Sequence, residues 1–223
     1  MDGNGRWAKA RGKKRTDGHR AGMERIHDIV KASQDIGVEH LTLYAFSCEN
    51  WKRPKLEVQA LFSLLVEYFH KEIDELNRNG VCIRIIGQND NIPDNILRVL
   101  RHAEDLTKDN PNLTLNIAFN YGSRQEMVHA VRNMANEVAM GAIGVDEIDE
   151  AMISSHLYTA GQPDPDLLIR TSGEQRLSNY LLYQLAYAEF VFLDEHWPDF
   201  TVDVYYKAIR QYAQRSRRFG GLG

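Results

Sequence analysis

Short apolar runs alternate along this chain with longer stretches of helical period, and that alternation limits the fold more than any other feature. Met23, Ile26, Ile29, Val30 and Ala32 fall at helical spacing, and Gly37 stands where a C-cap glycine belongs. The run 41–46 follows at once, mixing β-branched, aromatic and aliphatic residues, which predicts a buried strand. Pro54 then opens an amphipathic segment over 57–77 that Gly80 closes. Beyond it the reading is strand 81–86, helix 92–106, strand 113–120, helix 126–140 and strand 167–170. The continuous apolar stretch 181–193 predicts a buried helix and then a strand, and 202–217 a final helix. Such regular trading of places favours an α/β fold: a mainly parallel central sheet flanked by helices, joined by right-handed crossovers. A chain of 223 residues can bury one sizeable core, so a single domain over 1–223 is expected.

Composition narrows the function classes. With net charge −4, the whole chain has no electrostatic reason to seek nucleic acid, and no RNA-binding, zinc-finger or helix-turn-helix pattern appears. Charge is uneven, however. Arg6, Lys9, Arg11, Lys13, Lys14, Arg15, Arg20 and Arg25 with His19 face only Asp17 and Glu24, so the segment either docks an anion or forms a solvated face. Cys48 and Cys82 lie in separate apolar stretches without metal-ligand spacing, which argues against a disulfide framework or a zinc site. No apolar run approaches the roughly 18 residues of a bilayer span and no signal peptide opens the chain, so a soluble, cytoplasmic protein is expected.

In parallel α/β sheets ligands bind beyond the carboxyl ends of the strands, which directs attention to the loops 2–7, 47–53 and 170–178. In the first, Gly3, Asn4 and Gly5 let backbone amides approach an anion, and Arg6, Arg15 and His19 can add charge-assisted hydrogen bonds. Asp2 is the odd carboxylate in that cationic set, and holding a hard divalent cation that bridges phosphates is its simplest task. The second loop gathers Ser47, Cys48, Glu49, Asn50, Trp51 and Arg53; Asn50 is a poor base in water but can orient a proton acceptor. The third, with Arg170, Arg176, Leu177 and Ser178, is an independent anion site by residue type, and two such sites suggest two phosphorylated substrates. Taken singly, each loop also reads as an ordinary ion-paired surface turn. Glu189 sits inside an apolar stretch, where a buried charge calls for a metal or an arginine unless the side chain reaches the surface.

Together these residues form motifs. M-D-G-N-G-R-W at 1–7 with Gly18-His19, L-Y-A-F-S-x-E-N-W-x-R-P at 43–54, R-I-I-G at 84–87 and N-x-A-x-N-Y-G-x-R at 116–124 come first. I-R-T-S-G-E-x-R-L-S-N at 169–179, W-P-D-F at 197–200 and R-R-F-G-G at 217–221 follow in order. The set closely resembles the undecaprenyl diphosphate synthases, a family of cis-prenyltransferases, and covers nearly the whole chain. The resemblance implies a homodimeric α/β enzyme with a hydrophobic tunnel, which condenses isopentenyl diphosphate onto an allylic starter such as farnesyl diphosphate to give a long cis-polyprenyl diphosphate. By that likeness Asp2 and Glu189 hold Mg²⁺, and Asp2 assists departure of the allylic diphosphate. Gly3, Asn4, Gly5, Arg6, Trp7, Arg15 and His19 cradle that diphosphate. Asn50 takes part in proton removal, with Ser47, Cys48, Glu49, Trp51 and Arg53 around the reacting ends. Arg170, Arg176, Leu177 and Ser178 bind isopentenyl diphosphate, and the R-R-F-G-G tail reaches the partner subunit. Peripheral membrane contact would serve release of so apolar a product.

The chain also departs from the family pattern. The family usually carries a strand just before M-D-G-N-G-R-W, and this sequence starts at that motif, so a domain lacking the usual first strand is expected. Gln175 stands where many bacterial members have histidine, Cys48 replaces Ser or Thr, and Phe119 replaces a smaller residue near the tunnel, which would shorten the product. A non-catalytic subunit that supports a partner is the rival reading. Retention of Asp2, Asn50, Arg170 and Arg176 argues against it, since such a subunit needs none of them.

Overall fold

In the computed structural model, residues 1–215 are described. The chain opens with α1 (Asn4–Ala10) and α2 (Arg15–Asp35), then β1 (His40–Ser47), a 3-10 turn over Cys48–Lys52 and the long α3 (Lys55–Arg78). After β2 (Val81–Ile86) come α4 (Asp94–Thr107), β3 (Leu113–Tyr121), α5 (Ser123–Ala139) and the short α6 (Glu150–Ser155). The remaining elements are β4 (Leu167–Arg170), β5 (Glu189–Phe192) and α7 (Val202–Ala213). All strand pairs are parallel, as the alternation of elements requires.

The strands form two sheets rather than one. β3 lies between β1 and β2, and β4 pairs with β5 alone. Among the described residues no strand bridges β1 to β4, and residues all along both strands line one cavity between the sheets. β3 is the most buried strand because both its edges are paired and both its faces are covered; Leu113, Leu115, Ala118 and Tyr121 are all inaccessible. Against β3, the register of β1 slips between Tyr44 and Phe46, so Ala45 is an extra residue. This bulge bends the end of β1 and re-aims the Ser47–Asn50 turn.

Helices α2 and α3 pack side by side and run the same way. The pairs Arg15–Glu57, Arg20–Glu67, His27–Glu72 and Gln34–Asn79 follow one order along both. Close approach of α1 to α2 depends on Gly18, where an added Cβ would lie 2.0 Å from the Asn4 carbonyl oxygen. The core beneath is aliphatic and aromatic, with Phe46, Phe62 and Phe119 in mutual ring contact at 5.2–5.5 Å between centroids.

Two expectations need correction. Residues 181–188 form turns, not the buried helix predicted from their apolar run. Leu181 takes a left-handed backbone (φ 42°), a single helical bond joins Leu185 N–H to Leu181 O, and buried Gln184 gives its amide to Glu126 and Thr159. Those long-range bonds fix the segment in place of a helical ladder. The final helix stops at Ala213, short of the expected 217; the R-R-F-G-G stretch at 217–221 lies outside the described residues.

Candidate functional site

The opening motif and the loop after β4 meet, although some 170 residues separate them. Asp2 N–H donates to Thr171 Oγ1 at 3.0 Å, the same hydroxyl returns a bond to Asp2 O at 3.1 Å, and Trp197 N–H caps that carbonyl at 2.9 Å. Arg170 Nη2 reaches Asp2 Oδ2 at 3.1 Å, Gly3 N–H donates to Asp2 Oδ1 at 2.7 Å, and Arg6 Nη2 lies 3.6 Å away. Burial pushes the Asp2 pKa up, but the Arg170 hydrogen bond and the Gly3 amide outweigh it and hold the carboxyl below its ordinary value. Gly3 is required where it stands. Its φ of 92° is left-handed, and a Cβ there would sit 1.9 Å from Ser172 Oγ.

Arg170 is the hub of the later loop. Its Nη1 donates to Ser178 Oγ at 3.0 Å and to the Arg176 carbonyl, while Arg176 and Arg6 both pair with Glu174. Ser172, Ser178 and Asn179 hold positive φ, each stabilised by tertiary contacts: Ser172 Oγ meets His196 Nδ1 at 2.9 Å, and Asn179 Nδ2 donates to Glu49 Oε1 at 2.9 Å. Gln175 is exposed and lies off the cavity wall.

A second cationic cluster gathers where α2 and α3 begin. Glu57 Oε1 accepts from Arg15 Nε and Arg53 Nη1, both at 3.0 Å, and lies 3.7 Å from His19 Nε2, too far for a hydrogen bond. Burial, with Arg53 and Arg15 nearby, lowers the His19 pKa to about 4, Glu57 opposing the fall. The imidazole is therefore neutral near pH 7, and its buried Nε2 has no hydrogen-bond partner among the described residues; Asn4 Oδ1 is in the same position. Both residues line the cavity, but these two atoms are themselves shielded from it, Asn4 Oδ1 lying against Gly22.

Both clusters open on one cavity of about 1330 Å³. Asp2, Gly3, Asn4, Gly5, Arg6, Arg15, His19, Ser47, Glu49, Asn50, Arg53, Arg170, Arg176, Leu177 and Ser178 line it, so most of the predicted site residues come together. Met23 and Ile26 from α2, Leu43 from β1, and Leu61 and Leu65 from α3 give it apolar walls, and buried Phe119 adds to them. Asn50 is oriented by Ser47 N–H, which donates to its Oδ1 at 3.2 Å.

Four predicted residues stand off the wall. Trp7 Nε1 donates to Asp199 Oδ1 at 2.7 Å with Arg11 stacked over its ring, and Trp51 Nε1 donates to Asn120 Oδ1 at 2.8 Å inside the aromatic cluster. Cys48 packs against Asn179 and Gly122, its thiol pKa pushed up to about 11 chiefly by burial. Glu189 pairs with Leu167 across β4–β5, three register positions from the Arg170–Phe192 pair, and bonds Arg215 at 2.7 Å. One chain does not bring Glu189 beside Asp2. Thr171 and Glu174 lie in the loop singled out from the sequence without being named as site residues; Glu57 and His196 lie outside those loops, Glu57 with one local signal, its i+4 spacing from Arg53.

A divalent hard cation fits this donor set. Asp2 is ionised and faces the cavity, and one carboxylate plus substrate oxygens is how Mg²⁺ is commonly held.

The chain matches the family described as "Putative undecaprenyl diphosphate synthase" over residues 1–220. It is 52% identical over 222 residues to the isoprenyl transferase of Agrobacterium fabrum, covering 100% of this chain and 90% of that one. Identity to the isoprenyl transferase of Clostridium perfringens is also 52% over 222 residues, covering 100% and 88%. Among solved structures, lavandulyl diphosphate synthase from Lavandula x intermedia in complex with dimethylallyl diphosphate superposes with a TM-score of 0.96 at 35% identity, over 99% of this chain and 95% of that one. A probable undecaprenyl diphosphate synthase from Campylobacter jejuni gives 0.79 at 30% identity, over 90% and 92%. With its paired cationic clusters on one apolar cavity and this likeness along its whole length, the chain belongs to the undecaprenyl diphosphate synthase family of isoprenyl transferases, the cis-prenyltransferases.

Proposed function

We propose that this enzyme extends farnesyl diphosphate with successive isopentenyl diphosphate units to a long cis-polyprenyl diphosphate of the undecaprenyl class, a lipid carrier precursor for bacterial cell-wall synthesis. The observation that carries the reading is the 3.1 Å contact of Asp2 with Arg170 at the wall of a cavity that Arg15, His19 and Arg53 also line. Two cationic clusters suit two diphosphates, and the apolar remainder suits a growing hydrocarbon.

The amides of Gly3, Asn4 and Gly5, with Arg6, Arg15 and neutral His19, bind the allylic diphosphate and stabilise the charge that develops as its C–O bond breaks. Bound at Asp2, Mg²⁺ supplies Lewis-acid stabilisation of the same leaving group. Arg170, Arg176 and Ser178 hold isopentenyl diphosphate so that its alkene faces the allylic carbon, removing most of the entropic cost of encounter. The alkene forms the new C–C bond, and the proton lost to complete the cis double bond passes to an acceptor that Asn50 orients, the departed diphosphate being nearest. Because Glu189 bonds Arg215, Asp2 and substrate oxygens carry the ion in this reading.

Exposed Val128 and Val131 on one face of α5 support a homodimer, and the two free cysteines support a cytoplasmic setting. Among the described residues no helix is long and apolar enough to cross a membrane, so product release would call for peripheral contact. Incubation of the purified chain with farnesyl diphosphate, labelled isopentenyl diphosphate and Mg²⁺, followed by sizing of the lipids, tests the proposal. Labelled long-chain product is expected; none with Mg²⁺, or equal product after thorough chelation, refutes it.

A further inference from the structure

On the flank of α2 and α3, away from the cavity mouth, three metal-ligating side chains converge. His27, Glu72 and Glu75 each offer one ligand atom, and these atoms all lie within 4.8 Å of one another. His27 Nδ1 is 2.8 Å from Glu72 Oε2, and its Nε2 is 3.7 Å from Glu75 Oε1. An ion takes one of the two ring nitrogens; a tetrahedral ion with bonds of about 2.0–2.2 Å sets its ligand atoms about 3.4 Å apart, and three ligand atoms no more than 4.8 Å from one another lie near that spacing.

Tyr68 supplies an independent observation. It precedes Glu72 and Glu75 by four and seven residues, on the same face of α3. The side chain is 7% exposed and its hydroxyl has no hydrogen-bond partner among the described residues, a costly state for a buried polar atom. Lys71 Nζ pairs with Glu72 Oε1 at 3.0 Å, but its side chain is largely exposed and leaves Glu72 Oε2 toward His27.

We propose that His27, Glu72 and Glu75 form a binding site for a divalent transition cation of the zinc class, with the Tyr68 hydroxyl as a fourth donor, directly or through one bound water. One imidazole with two carboxylates suits such an ion, whereas Mg²⁺ favours an all-oxygen set. The ion ties α2 to α3, the helices whose first turns carry Arg15, His19 and Glu57, and so braces the cavity wall from outside. Its coordination is independent of Asp2.

Cobalt(II) is the probe, because its visible absorption reports tetrahedral coordination. The full chain, stripped with chelator, is titrated with Co²⁺ in the absence of Mg²⁺; about one equivalent is expected to bind with visible bands that Zn²⁺ displaces. His27→Gln and Glu75→Gln should each weaken binding by more than about tenfold. Glu75 is half exposed, so its variant keeps the core, and unchanged circular dichroism confirms that both variants fold. Asp2→Ala should retain the signal. Absence of saturable Co²⁺ binding, or titrations unchanged in both cluster variants, overturns the proposal and leaves the cluster as a set of ion pairs between α2 and α3. Loss of the signal in Asp2→Ala with retention in His27→Gln moves the ion to the cavity and overturns it equally.

Discussion

Replacing Asp2 by Asn separates the charge of this side chain from its shape. The amide keeps an oxygen for Gly3 N–H, now 2.7 Å from Oδ1, but cannot pair as an anion with Arg170 at 3.1 Å. A hydrogen bond to a charged group contributes about 1.5–3 kcal/mol. The Asp2 side chain is 38% exposed, so solvent screening reduces the expected loss to about 1–2 kcal/mol. Arg170 keeps Ser178 Oγ and the Arg176 carbonyl and is not left unpaired, which supports the lower figure. For a chain of this length that corresponds to a fall in melting temperature of about 2–6 °C. Turnover should fall far more, by over about 10³-fold, because the lost charge acts on the leaving group. The sign of the pH effect follows from the depressed Asp2 pKa: its stabilisation is complete above the unfolded value of 3.8 and disappears as pH falls through the lower folded value. Wild type should therefore lose its stability advantage over Asp2→Asn only in strong acid. Calorimetry across pH, steady-state kinetics and the double mutant with Arg170→Gln measure these effects. Turnover within tenfold of wild type in a folded variant would refute the reasoning.

Further outcomes can be measured on the same material. With its folded pKa near 4 against 6.5 unfolded, His19 should cause stability to fall as pH drops from about 6.5 toward 4; His19→Gln should flatten that slope, and NMR titration of the ring should show no protonation at pH 6. Phe119→Ala should lengthen the product on chromatography at a stability cost of about 3 kcal/mol, and an unchanged product distribution would remove Phe119 from the control of length. Gly3→Ala should cost about 1–2 kcal/mol for the left-handed backbone, before the added contact with Ser172 Oγ, and should reduce activity as well.

What was legible in the sequence was what short-range periodicity determines. The spacing of Val58, Leu61, Phe62, Leu65 and Phe69 marks α3, and the run at 113–120 marks β3 as a strand, though not its burial on both faces. The turns at 181–188 were not legible, because the left-handed backbone at Leu181 and the bonds of Gln184 to Glu126 and Thr159 depend on partners distant in sequence. The split into two sheets was hidden for the same reason: pairing is a property of strand edges, which periodicity does not describe. At the site, residue types and loops could be read while pairings could not. Glu189 called for a cation, and the fold supplies Arg215; the two arginines and the neutral His19 around Glu57 become a cluster only when α2 lies along α3.

The distances in sequence bear on how the site behaves. Asp2 meets Arg170, Thr171 and Trp197 through a few hydrogen bonds of about 1 kcal/mol each; Asp2 and Arg170 are partly exposed, while Thr171 and Trp197 are buried and Trp197 shares the apolar core of the β1–β3–β2 sheet and α3. Closure of the opening motif onto the loop after β4 is therefore anchored to the core at Trp197 and exposed to solvent at the Asp2–Arg170 pair. A ligand whose anionic groups engage Arg170 on one side and Arg15 on the other adds its binding energy to that closure.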